Sequence, residues 1–207
     1  MHQAATTGQF ILFAASIAAM IIFQKNKVVC WSLALMIGAF TSLSALFGGY
    51  FSHCFSGFSL KLLFSVMLVL SGALMLVPTS NKSLALPREG LGFWKFRSGG
   101  GVHTVNLWIA LPVTVLTGFA SGMVGVSGGC FLVPLMILSC GVPMVTAVGT
   151  ASILIAATSL MGFAGHALRG DFVASLALPL AIVTIVGGIL GSRFALKSKP
   201  KNLKRLF

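Results

Sequence analysis

The sequence predicts an all-α, polytopic membrane helical bundle built from inverted repeats, with a broken or re-entrant glycine-rich segment. Three observations predict it. Of 207 residues, 57% are hydrophobic and 8% charged; the apolar residues lie in runs of eighteen or more; and the chain repeats itself at a fixed offset. Such runs match the roughly 20 residues with which a helix crosses about 30 Å of hydrocarbon. A soluble domain would carry about a quarter of its residues as charges.

The elements follow in order. Residues 4–23, 28–51 and 60–77 read as spans. Residues 78–105 hold Pro, Gly, Ser and both signs of charge, and read as a loop with Phe93, Trp94 and Phe96 at the membrane interface. Residues 106–140 are apolar but too long for one crossing. Their middle, GMVGVSGG at 122–129, weakens a helix and permits close backbone approach or positive φ, so two helical pieces joined by a break at membrane depth are expected. Residues 143–164 and 172–194 are further spans, followed by a basic tail. One membrane domain, 1–207, thus holds a first repeat at 4–77, the loop 78–105 and a second repeat at 106–207.

Charge placement narrows the function. The formal net charge is +12, but Arg193, Lys197, Lys199, Lys201, Lys204 and Arg205 crowd the C-terminal end, and Lys82, Arg88, Lys95 and Arg97 fall in the long loop. No cation lies in the middle of an apolar run, which is the positive-inside pattern; the stacking aromatics and folded basic surface of a nucleic-acid binder are missing. Cys30, Cys54, Cys130 and Cys140 have no CxxC spacing or nearby His or acid to form a metal set, and no cofactor is expected. The only acids, Glu89 and Asp171, lie in loops, which excludes an intramembrane enzyme built on an embedded carboxylate. The start lacks the basic region and cleavage site of a signal peptide, so the first apolar run is expected to remain in the mature protein.

Sliding the chain by 143 residues pairs Thr7 with Thr150, Ser16 with Ser159, residues 32–35 with 175–178, Thr41 with Thr184 and Gly48 with Gly191. About a quarter of positions 4–64 match, against roughly a tenth by chance at this composition. The basic link of the first copy, residues 24–27, gives way in the second to a link with Arg169 and Asp171, while the later link has become basic at 197–201. By the positive-inside rule the repeats are inverted. This puts the C-terminal tail and the 78–105 loop in the cytoplasm, and only Lys61 and Arg169 outside.

Residues 118–135, GFASGMVGVSGGCFLVPL, followed by AVGTAS at 147–152 and HALRGD at 166–171, resemble the TauE/SafE family of sulfite and organosulfonate exporters and related anion permeases. The resemblance covers nearly the whole chain and is most specific in the second copy. It implies duplicated membrane halves and a GxGGG stretch, whose central glycine is Ser127 here. It also implies roughly 40 further residues in front and one further helix behind. From it follows a secondary transporter of small sulfur oxyanions or sulfonates in the cytoplasmic (inner) membrane. The alternative is a truncated, non-transporting remnant, or a subunit completed by a homo-oligomer or a partner chain.

Candidate substrate ligands are Gly125, Ser127, Gly128, Gly129, Thr150, Ser152 and Thr7. A half-helix starting after the break would aim the N–H groups of Gly128, Gly129 and Cys130 at an oxyanion; the plainer reading is that the glycines only let helices pack closely. Thr150 and Ser152, with their counterparts Thr7 and Gln9, could donate to substrate oxygens or bond within the bundle. His166, Arg169 and Asp171 group an imidazole, a cation and an acid, suited to gating or proton relay; the plainer reading is an exposed link with Arg169 and Asp171 paired in water.

Overall fold

Backbone amides in hydrocarbon find no water, so an apolar chain of this kind satisfies them within helices. The computed structural model describes residues 2–76, 93–98, 101–140, 142–168 and 174–198; over these the chain is helical apart from one short hairpin. The helices are α1 (His2–Lys25), α2 (Trp31–Phe51), α3 (Gly57–Leu76), α4 (Leu107–Val124), α5 (Gly129–Cys140), α6 (Met144–Ala167) and α7 (Ala174–Lys197). Four stretches among the described residues are long and apolar enough to cross a membrane: Gln3–Lys25, Trp31–Cys54, Met144–Ala167 and Ser175–Lys197. Shorter apolar stretches, Gly57–Ala73 and Ala110–Val124, belong to α3 and α4. The chain is a multi-pass helical membrane protein.

Part of the expected loop is ordered differently. β1 (Phe93–Ser98) pairs antiparallel with β2 (Gly101–Asn106), Phe93 opposite Asn106 and Ser98 opposite Gly101. The signal was the alternation of aromatic and basic residues in Trp94-Lys95-Phe96-Arg97, the period of a strand. Strand pairing satisfies amides that an irregular loop against an apolar core would leave open. Val105 is buried in that core and Trp94 packs against it.

Close contacts set the helix directions. α1 and α6 run antiparallel: Gly162 meets Gln9, near the start of α1, while Gly149 meets Phe23, near its end. α2 and α6 run parallel, joined by Cys30 and Thr150 at their starts and by Gly49 and Gly162 toward their ends. α4 runs with α2, Gly118 against Thr41 and Gly122 against Ala45. A Cβ at Gly122 would come 2.2 Å from the Ala45 carbonyl oxygen, so this backbone approach requires glycine. Leu33, Ile37, Leu132, Met136 and Leu154 fill the space between α2, α5 and α6.

The turn after α1 ends that helix without a glycine. Lys27 takes φ 55°, its amide donates to the Gln24 carbonyl and that of Val28 to Phe23, the paired bonds of a Schellman cap.

Candidate functional site

α4 stops because Gly125 enters the left-handed region at φ +81°. The amides of Gly125 and Val126 both donate to the Ser121 carbonyl, at 3.0 and 3.2 Å, closing the last turn. Gly125 also abuts α1: a Cβ there would lie 2.3 Å from Ala5 Cα. Conformation and crowding both demand glycine at this position. The chain restarts as α5 at Gly129, where the Gly128 carbonyl accepts from Phe131 and Leu132. The first amides of a helix have no carbonyl one turn back, and they carry the positive end of its dipole.

The end of α4 presents the opposite problem, carbonyls with no amide one turn on. Side chains from two other helices reach its last carbonyls: Gly122 O, whose amide one turn on bonds to Ser121 instead, and Ser121 O, in addition to its two amides. Gln9 Nε2 of α1 donates to Ser121 O at 3.2 Å, and His166 Nε2 of α6 lies 2.8 Å from Gly122 O. A carbonyl only accepts, so Nε2 carries the hydrogen. His166 Nδ1 then faces Ser52 Oγ at 3.3 Å, while Ser52 also donates to Gly49 O at 2.8 Å. The His53 ring sits 6.3 Å from that of His166.

Most other buried hydroxyls bond back into their own helix: Thr41 to Ile37 O, Thr158 to Leu154 O, Ser121 to Gly118 O. Such bonds keep a hydroxyl dry without linking helices. Gln9 differs, since it is 1% exposed and its Oε1 has no partner. A cavity of about 20 Å³ lies beside the break, lined by Phe64, Met67, Leu68, Ser121, Ser127 and Phe131 among others.

The structure thus brings Gly125, Ser127, Gly128 and Gly129 together with Ala5, Gln9 and Ser121. Thr7 is half-buried on α1 beside Gly8, where a Cβ would come 3.2 Å from the Gly125 carbonyl oxygen. Thr150 is elsewhere, its Oγ1 accepting the Cys30 amide at 3.0 Å at the start of α2, and Ser152 donates to Gly149 O at 2.7 Å. His166 belongs to the last turn of α6 and is fully buried, in place of the exposed-link alternative; Arg169 and Asp171 lie outside the described residues. Among the described glycines only Gly125 has positive φ, and the break reaches from Ala5, in the first turn of α1, to Ile155, halfway along α6.

Sequence reading underused Gln9, named only as a repeat counterpart, and passed over Ser52. The signal for Gln9 was an amide within an otherwise apolar span, which lipid tolerates only when it is bonded inside the bundle.

A bundle of apolar helices, four of them long and apolar enough to cross a membrane among the described residues, defines the class of polytopic helical membrane proteins. The sequence matches the sulfite exporter TauE/SafE family over residues 1–207, and the chain belongs to that family. It is 22% identical over 200 residues to the probable membrane transporter protein YunE of Bacillus subtilis (strain 168), covering 95% of this chain and 73% of that protein. It is 27% identical over 198 residues to a probable membrane transporter protein of Xylella fastidiosa (strain 9a5c), covering 94% and 70%, and 28% identical over 185 residues to one from strain Temecula1 / ATCC 700964, covering 86% and 65%. Each of these relatives is named as a probable membrane transporter. No solved structure matches the chain.

Proposed function

We propose that the chain is a secondary transporter of small sulfur oxyanions or organosulfonates across the cytoplasmic membrane, with the anion held at the break between α4 and α5. The carrying observation is the restart of α5 at Gly129 within the bundle, across from the end of α4, where Gln9 Nε2 reaches Ser121 O. The first amides of a helix and its dipole suit an oxyanion. One Nε2 hydrogen of Gln9 is committed to Ser121, which leaves a second for a ligand oxygen. The cavity of about 20 Å³ holds roughly one water, so this conformation is closed to substrate, and α3 must part from the break for loading. Thr7 is placed as a flanking donor. Thr150 and Ser152 act through helix pairing unless their bonds exchange on opening. His166 is read as a latch that holds the end of α4 against α2 and α6, with Arg169 and Asp171 as gating charges beyond it.

The helix directions support the inverted repeat. Exchanging α1 with α6 and α2 with α7 maps the parallel α2–α6 pair onto the α7–α1 pair, while α1 and α6 stay antiparallel as an axis in the membrane plane requires. Impermeant labelling of Lys197→Cys and Lys61→Cys, each on a cysteine-free background, tests the orientation. Lys61→Cys should label from outside and Lys197→Cys only after the membrane is opened; the reverse pattern sinks the topology. Sulfite uptake into proteoliposomes tests the function, and no flux above empty vesicles for sulfite or any sulfonate would refute it. A homo-oligomer or completing partner chain is a second reading, favoured by Gly187 and Gly191 on α7, where a Cβ would meet nothing within 4 Å.

A further inference from the structure

Away from the break, the C-terminal ends of α1 and α7 enclose a cleft of about 600 Å³ lined by Ile22, Lys25, Asn26, Arg193, Leu196 and Lys197. Three of these six side chains are cations. Each of the two helix ends brings about half a negative charge from its dipole, so about two positive charges remain. No acid lies among the described residues, so none of them neutralises the charge of the cleft, which suits an anion.

Size and surroundings identify that anion. At about 600 Å³ the cleft is far larger than a free oxyanion of four or five heavy atoms needs. Arg193 and Lys197 continue a single stripe of α7 that includes Val183, Val186 and Leu190, all large and exposed, at spacings of three and four residues that keep them on one helix face. An apolar track that ends in a basic cleft at the end of a membrane span fits a molecule with a hydrocarbon tail and an anionic head. We propose that this cleft seats the phosphate headgroup of an acidic phospholipid, with an acyl chain along the Val183–Val186–Leu190 face of α7. Basic pockets between helices on the cytoplasmic side suit such headgroups, and the seated lipid would bridge α1 and α7, which belong to different repeats.

The experiment uses the full chain in mild detergent, with thermal unfolding followed as phosphatidylglycerol or phosphatidylcholine is added, and native mass spectrometry to count retained lipids. The variants are Lys25→Gln/Arg193→Gln/Lys197→Gln together, Arg193→Lys, and Lys61→Gln, a control at the start of α3. Phosphatidylglycerol should raise the unfolding temperature of the wild type and of Lys61→Gln, with at least one lipid retained; the triple variant should lose both effects, and Arg193→Lys should keep most of them. Phosphatidylcholine should do neither. Inorganic phosphate at the same headgroup concentration should leave the unfolding temperature unchanged; a shift equal to that of phosphatidylglycerol, lost in the triple variant, would make this a free-oxyanion site and overturn the lipid assignment. An unchanged phosphatidylglycerol response in the triple variant, or none in the wild type, would also overturn it.

Discussion

α2 and α7 are counterparts in the repeat, with residues 32–35 matching 175–178, yet they have different surroundings. Along α2, Thr41, Ala45 and Gly48 are closed off by the backbone of α4, and Gly49 by that of α6. Along α7, Thr184 and Gly191 occupy the positions of Thr41 and Gly48, but a Cβ at Gly191 or Gly187 would meet nothing within 4 Å. Of an 18-residue window, 44% is buried in the α2 span and 17% in the α7 span. In lipid the apolar tails do not drive helices together, so burial depends on which helix offers a small-residue face. For α2 that face is Gly118 and Gly122 of α4; α7 has such a contact with α1, where a Cβ at Gly188 would lie 2.6 Å from the Ala15 carbonyl oxygen, but among the described residues nothing meets its face at Gly187 and Gly191.

The largest effect should come from closing the face between α2 and α4. Gly122→Val places a branched side chain against the Ala45 backbone and should cost about 3 kcal/mol, whereas Gly191→Val should change stability by less than about 1 kcal/mol. Unfolding in graded denaturing detergent measures both, and equal losses would mean that the faces do not differ. Next are the caps on α4. His166→Leu strands the buried Gly122 carbonyl and should cost about 1–3 kcal/mol; Gln9→Leu removes only a third donor to Ser121 O and should cost about 1 kcal/mol; the double variant should lose less than the sum if α4 and the break move as one unit. Thr150→Val, which leaves the Cys30 amide to the first turn of α2, should cost about 1 kcal/mol. The smallest change should be at Lys27: Lys27→Gly relieves a left-handed lysine and should stabilise the protein by up to about 1 kcal/mol.

Much of the architecture is legible in residue order, because an apolar run longer than a membrane is thick has few alternatives to a helix. The spans at 4–23, 28–51, 143–164 and 172–194 each fall within or close to an observed helix. The excess length of residues 106–140 points to two pieces, and the helix divides between Val124 and Gly129. The hairpin is less legible, since its alternation covers only six residues a side. At the candidate site, the glycines could be read because their density is local. The roles of Gln9 and His166 could not, since they depend on how the left-handed turn at Gly125 arranges the last carbonyls of α4 and on which helices stand beside them. Thr150 illustrates the converse error: a hydroxyl in an apolar span looks available for substrate until its partner, the Cys30 amide 120 residues away in sequence, is known.

The central claim is that the oxyanion sits at the start of α5. Sulfite binding to protein reconstituted in vesicles, at low and moderate salt, tests it through Gly128→Val and Arg169→Gln. At Gly128 a Cβ meets Ser121 Oγ at 3.4 Å, a contact the fold tolerates, while the added branches would fill the space at the break. The account predicts that Gly128→Val keeps its unfolding temperature and loses affinity by at least about tenfold. Arg169→Gln should bind nearly as well as wild type, with a weaker salt dependence of entry. Normal binding by Gly128→Val, together with loss of binding in Arg169→Gln, would contradict the claim and move the anion site to the link after α6.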